Sequence, residues 1–222
     1  MFYLSGDIIK QLPFYDKLTE ADKQLIRQHA IITFLPKGKK ISCYDKQGFG
    51  VYYILDGEIR LFLSDEEHRP ITLFSAYAGE MSVLSASCIL TPISFEAHQR
   101  AEVDTTIYLI DTECFKKIIN QNLSVKCYVY ELLAERFSSV IENVQSILFD
   151  NINQRLINFL FRKHLSLKTK ELKLTQTEIA EAISTSREVV GRALKRLSDE
   201  NIISYERRTI TIITPEKLKV NR

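Results

Sequence analysis

Apolar spacing divides the chain into helical and strand-like stretches. From about residue 5 to 30 the period is helical. Thr19, followed three residues later by Asp22, predicts a capped start, with Leu25, Ile26 and His29 then falling on one side. From Ile31 to Ile110, short runs rich in Val, Ile, Phe, Tyr and Thr alternate with turn signals such as Pro36-Lys37-Gly38 and Asp56-Gly57. Val51–Leu55 and Glu58–Leu63 read as a hairpin about the Asp-Gly pair. Ile71–Phe74, Ser94–Ala97 and Thr106–Ile110 read as further strands, and so many short strands predict a small barrel or jelly roll.

After Asp111 the helical period returns. A short helix begins at Thr112, and a longer one runs from about Ser124 to Phe149. Within the longer one, Tyr130, Leu133, Phe137, Val140, Val144 and Ile147 are spaced alternately three and four residues apart, the seam of a coiled coil. Val129, Leu132, Ile141 and Leu148 form a second stripe beside it, so one face can meet the chain's own barrel and the other a partner helix. The alternative is a single wide stripe buried within one chain; the regular seam favours the partner. Residues 151 to 165 form another helix, and the polar, lysine-rich stretch from Ser166 to Lys173 reads as a loop.

Leu174 to Leu197 is the most informative stretch. Thr175-Gln176-Thr177-Glu178 fits a capping box, and Ile179, Ala180 and Ile183 give the short helix that follows one apolar face. Ser184-Thr185-Ser186 breaks it, and Thr185 with Glu188 reads as a second capping box opening a second helix. Two short capped helices across a tight turn predict a helix-turn-helix. On a wheel set from Arg187, Gly191, Lys195, Glu188 and Arg192 lie between about 40° and 140°, and Val190, Ala193, Leu194 and Leu197 between roughly 240° and 340°. Such a polar face suits a major groove: Arg187 and Arg192 can bond guanine bidentately, and Glu188 can accept from a cytosine amino group. Gly191 would let the backbone come close, and Lys195 would take a phosphate. A solvated surface helix carries the same residue types, so the capping boxes and the local charge bear on the choice. Asn201–Ser204 and Thr209–Ile213 then read as the strands of a wing with Arg207 and Arg208 at its tip.

The charge is unevenly spread. Residues 1–151 carry 15 Lys and Arg against 20 Asp and Glu, a net −5; residues 152–222 carry 15 against 8, a net +7. A basic tail on an acidic body points the tail at a polyanion. The cysteines, Cys43, Cys88, Cys114 and Cys127, are far apart and form no Cys-x-x-Cys pair, which argues against a zinc or disulfide scaffold, so no metal ligands are assigned. No apolar run is long enough to cross a membrane. The N-terminus lacks the basic start and apolar core of a signal peptide, so the expected location is the cytoplasm, with no membrane partner. No Gly-rich phosphate loop, His-Glu-x-x-His or Gly-x-Ser-x-Gly is present, so no enzyme activity is expected.

Ser186-Arg187-Glu188-Val189-Val190-Gly191-Arg192 and the following Asn201-Ile202-Ile203-Ser204 resemble the recognition helix and wing of the Crp/Fnr family. Pro36-Lys37-Gly38, Gly50–Ile59 and Gly79-Glu80 resemble that family's sensory β-roll, and the seam helix its dimer helix. The resemblance implies an α+β chain: a cyclic-nucleotide-binding-like β-roll (jelly roll) over 1–122, a dimerisation helix over 123–150 and a winged helix-turn-helix over 151–222. It implies a bacterial homodimeric regulator on a two-fold symmetric operator, with Arg187, Glu188 and Arg192 reading TGTGA-like half-sites about one helical turn apart. Thr175, Ser186, Lys195, Arg207 and Arg208 would position on the backbone, and RNA polymerase would be a partner if the protein activates. Ser184 stands where the family often has glycine, at a cost if its φ is positive. The other reading is an effector-sensing or partner-docking module whose helix-turn-helix does not read DNA.

The expected effector pocket comprises Gly79, Glu80, Cys88, Phe95, Glu96 and His98. Family members that bind cyclic nucleotides hold the phosphate with an Arg-Ser or Arg-Thr pair, and alignment through Arg100-Ala101-Glu102 places Phe95-Glu96 there. A carboxylate repels a phosphodiester, so cyclic AMP is not expected to bind. No cysteine precedes Cys43, which removes the family's iron–sulfur route. His98 or His68 is the candidate axial ligand for a haem, though a lone His is more often a surface or core residue. Cys88 is a candidate redox switch, a buried inert Cys being the commoner case.

Overall fold

The computed structural model describes residues 8–41, 50–64, 70–82, 98–206 and 208–218. They form two compact units, Met1–Phe62 with Phe74–Val140, and Leu63–Leu73 with Ile141–Arg222.

In the first unit, two 3-10 turns at Ile8–Gln11 and Tyr15–Lys17 precede α1 (Glu20–His29). The expected long helix is therefore interrupted; Pro13, between the turns, has no N–H to continue one. Thr19 and Asp22 do form the capping box, with Thr19 N–H donating to Asp22 Oδ2 at 3.0 Å and Asp22 N–H to Thr19 Oγ1 at 3.1 Å.

The strands are β1 (Ala30–Leu35), β2 (Lys40–Ile41), β3 (Val51–Asp56), β4 (Glu58–Ser64), β5 (Pro70–Tyr77), β6 (Met81–Ser82), β7 (His98–Ala101) and β8 (Thr105–Ile110). They build two four-stranded sheets, ordered β1-β8-β3-β6 and β2-β7-β4-β5. The hairpin expected about Asp56-Gly57 is not formed, because β3 and β4 belong to different sheets. β3 already has β8 on one edge and β6 on the other, which leaves no edge for β4. Asp56-Gly57 instead carries the chain from one sheet to the other. Gly57 has a φ of 101°, and a Cβ there would lie 2.4 Å from Thr105 Oγ1, so only glycine fits. The Pro36 turn is as expected: Lys39 N–H donates to the Pro36 carbonyl, with Gly38 at a φ of 84° in the type II position. The Tyr52 hydroxyl on β3 donates to Gln99 Oε1 on β7 at 2.5 Å and ties the sheets together. The expected strand at Ser94–Ala97 lies outside the described residues.

Val51, Tyr53, Tyr108 and Ile110 face a core shared with α1, α2 (Thr112–Gln121) and the start of α3 (Leu123–Phe149). Asp111 caps α2 through the Cys114 amide at 3.0 Å. Along α3, Val125, Val129 and Leu132 are buried in that core. The seam residues Tyr130 and Phe137 stand 51% and 68% exposed, and Val144 is also exposed; Leu133, Val140 and Ile147 are half-buried. Of the second stripe, Val129 and Leu132 are buried, whereas Ile141 and Leu148 are exposed.

The second unit is built on α4 (Ile152–Leu167), capped by Asn151, which accepts from Gln154 N–H at 2.9 Å. Lys168 ends α4 in the left-handed region. The stretch expected to be a loop then contains β9 (Glu171–Lys173), antiparallel to β11 (Thr209–Ile212), which pairs in turn with β10 (Ile203–Glu206). Leu172 alone points into the core, and one apolar residue between two charges is too short a strand pattern to read. Leu156, Leu160, Leu172, Ile179, Val190 and Leu194 are among the residues of this unit's core.

Candidate nucleic-acid interface

The helix-turn-helix comprises α5 (Gln176–Ala182) and α6 (Arg187–Asp199). The first capping box is present in full. Thr175 N–H donates to Glu178 Oε2 at 2.7 Å, Glu178 N–H to Thr175 Oγ1 at 3.1 Å, and the Thr175 hydroxyl to Glu178 Oε2 at 2.9 Å. The Thr175 hydroxyl is thus engaged in starting α5.

The turn is a Schellman motif. Thr185 N–H donates to the Ala180 carbonyl at 2.9 Å and Ser184 N–H to the Glu181 carbonyl at 3.4 Å, with Ser184 at a φ of 52°. The second cap differs from expectation. Because the Thr185 amide closes the first helix, Ser186 is the N-cap of α6; its hydroxyl accepts from Val189 N–H at 3.4 Å, with no capping-box partner at Glu188.

On α6, Val190, Ala193, Leu194 and Leu197 are buried, and Arg187, Glu188, Arg192 and Lys195 are exposed together on the opposite side. The Glu188 carboxylate is held below its ordinary pKa by a bond from its own backbone N–H and one from the Ser186 hydroxyl, and the charges of Arg187 and Arg192 add to this. At neutral pH it is a charged acceptor. Gly191 is not bare to the outside. A Cβ there would meet the Gln176 side chain at 3.5 Å, so Gln176, which the sequence reading missed, flanks the same surface. In the wing, Glu206 pairs with Thr209, and Arg208 is exposed at a φ of 76°; Arg207 lies outside the described residues.

Of the expected effector pocket, Cys88, Phe95 and Glu96 lie outside the described residues, as does His68. Gly79, at a φ of 91°, and Glu80 form the turn before β6. Glu80 Oε2 accepts from Arg136 Nη2 of α3 at 2.9 Å and from Tyr77 N–H at 3.3 Å. Arg136 also lies over the Phe74 ring, 5.1 Å from its centroid. The sequence pattern did not single out Arg136, because it sits between seam positions. His98 packs on Phe62, with ring centroids 5.5 Å apart, in the sheet that does not contain β6. On the β4–β7 pair, Glu102 accepts from Arg60 Nε and Arg100 Nε, both at 2.9 Å, with the Arg60 side chain only 3% exposed. Burial pushes Glu102 up, but the bonds and charges of Arg100 and Arg60 outweigh it, and the carboxyl ends below its ordinary value. Among the described residues, no cluster of three or more His, Cys, Asp or Glu could hold a metal ion, and no helix is long and apolar enough to cross a membrane.

Residues 154–220 match the family model of the Crp-like helix-turn-helix domain. The crystal structure of a putative transcriptional regulator of the Crp/Fnr family from Eubacterium rectale is 32% identical, covers 94% of this chain and 97% of its own, and superposes with a TM-score of 0.84. FixK2 from Bradyrhizobium japonicum shares the fold at 18% identity, covering 85% of this chain and 95% of its own, with a TM-score of 0.71. The cAMP-activated global transcriptional regulator CRP of Salmonella typhimurium is 26% identical over 172 residues, which is 73% of this chain and 80% of that protein.

Proposed function

The chain belongs to the Crp/Fnr family of DNA-binding transcription regulators, and on that premise we propose that it acts as a homodimer reading a two-fold symmetric operator. The observation that carries this reading is the exposed face of α6, where Arg187, Glu188, Arg192 and Lys195 stand opposite the buried Val190, Ala193, Leu194 and Leu197. Arg187 and Arg192 bond guanines, Glu188 accepts from a cytosine amino group, and Lys195, Arg207 and Arg208 meet phosphates. Thr175 and Ser186 act through the helix starts they cap. The exposed Tyr130, Phe137 and Val144, with Leu133, Val140 and Ile147, take a second copy of the seam and set two half-sites about one helical turn apart.

The protein works by binding, in the cytoplasm, under a small-molecule or redox signal sensed by its β-roll. Phe95-Glu96 in place of an Arg-Ser pair argues that the signal is not cyclic AMP. The experiment is fluorescence anisotropy of a duplex with two inverted TGTGA half-sites, titrated with effector-free, reduced protein. Binding that a scrambled duplex does not reproduce is expected, with Arg187→Ala and Arg192→Ala each costing about 1–3 kcal/mol. If both variants bind like the wild type, α6 does not read bases and a partner-docking role takes its place.

A further inference from the structure

Resting on the reading of α6 as the DNA-reading helix, we propose that Arg155 is a positioning residue for it: the Arg155 guanidinium holds the turn from which α6 starts. Arg155 lies on α4, next to the buried Leu156, and its Nη1 donates to the Ile183 carbonyl at 2.9 Å. Ile183 is the C-cap of α5, and Ser184 and Thr185 after it spend their amides on Glu181 and Ala180. These bonds close the turn on itself and leave the Ile183 carbonyl to be met from outside, here by a residue 28 positions away in sequence.

Two features argue that the contact serves more than packing. The turn carries a serine rather than a glycine at its left-handed position, so its backbone geometry is opposed locally and depends on its surroundings. The cation is also expensive to keep there. Arg155 Nε is buried and meets no partner, and burial pushes the guanidinium below its ordinary pKa against a smaller opposing effect from Asp150. An apolar side chain would fill the space at less cost but could not hold the carbonyl.

The leverage is geometric. From the Ser186 cap to Lys195 is about 13 Å of helix rise, so a swing of about 5° at the turn displaces the far contacts by ~1 Å. Hydrogen bonds to base edges tolerate a few tenths of an ångström.

The test compares wild type, Arg155→Met and Arg155→Lys in the full-length protein. The duplexes are one that the wild type enriches from a random pool and a scrambled one, and amide hydrogen exchange over 184–190 is measured without DNA. Arg155→Met is expected to lose about tenfold in affinity for the enriched duplex and little for the scrambled one, and to speed exchange at Ser184 and Thr185. Arg155→Lys, which can still donate to the carbonyl, is expected to restore most of both. Equal losses on both duplexes, no loss on either, or no rescue by lysine would overturn the inference. If the wild type enriches no duplex, it is the DNA reading that fails; exchange then decides, and an unchanged rate at Ser184 and Thr185 overturns the role of Arg155.

Discussion

Replacing Ser184 with glycine should make the C-terminal unit more stable. Ser184 sits at a φ of 52° in the Schellman turn between α5 and α6. An L-residue with a Cβ pays roughly 1–2 kcal/mol in that region, and glycine pays nothing there. Glycine also loses more freedom on folding, which returns about 0.5–1 kcal/mol of the gain. The net expectation for Ser184→Gly is a stabilisation of about 0.5–1 kcal/mol. For a unit of roughly 60–100 residues this raises Tm by about 2–8 °C. Calorimetry on the full-length chain reads it, and the transition of this unit is identified as the one that Leu194→Ala, at a fully buried site, lowers sharply. Ser184→Ala is the control. It removes the hydroxyl and keeps the Cβ, so it should leave Tm unchanged. If alanine stabilised as much as glycine, or glycine lowered Tm, the backbone argument would be wrong and the hydroxyl would have to matter instead.

Phe137→Glu places a charge at the centre of the exposed seam and should raise the dissociation constant of the proposed dimer more than tenfold; sedimentation that shows no such shift would remove the seam as the interface. Glu102→Gln keeps an acceptor for Arg60 and Arg100 but removes the charge, and should destabilise the β-roll by roughly 1.5–3 kcal/mol, read by denaturant titration. Since the folded pKa of Glu102 lies below its ordinary value, its contribution is present above that value and fades as pH falls through the folded one, so wild type and variant should converge in acid. The Cys114 thiol, pushed up to about 11 chiefly by burial, should resist alkylation at pH 8 while the exposed Cys127 reacts, and equal labelling would contradict the packing. A raised thiol pKa favours the fold below the ordinary value of 9.0, so that share of stability should be lost between about pH 9 and 11.

The features legible in the sequence are those that span a few residues. The caps at Thr19 and Thr175 are bonds between neighbours three positions apart. The two faces of α6 follow from helical period alone, so Arg187, Glu188, Arg192 and Lys195 could be placed together before any fold was known. The φ of 52° at Ser184 makes its cost real, and that cost was legible only through the resemblance to a family that often has glycine at that turn. Strand partners were not. Val51–Asp56 and Glu58–Ser64 look like a hairpin because an Asp-Gly pair separates them, and the sequence carries no sign that β8 and β6 occupy both edges of β3. β9 was missed because Leu172 is its sole buried residue, and its identity as a strand comes from β11 alongside.

By itself, then, the sequence determined local chemistry: the capping boxes at Thr19 and Thr175, the apolar face of α6, and the charges that helix presents. Those depend on bonds and periods within one or two turns of chain. The tertiary structure alone decided which strands share a sheet, that Arg136 meets Glu80, that Gln176 stands beside Gly191, and that Arg155 reaches the Ile183 carbonyl. Each of those joins residues far apart along the chain or on different elements. Their meeting depends on how whole elements pack, which no window of neighbouring residues contains.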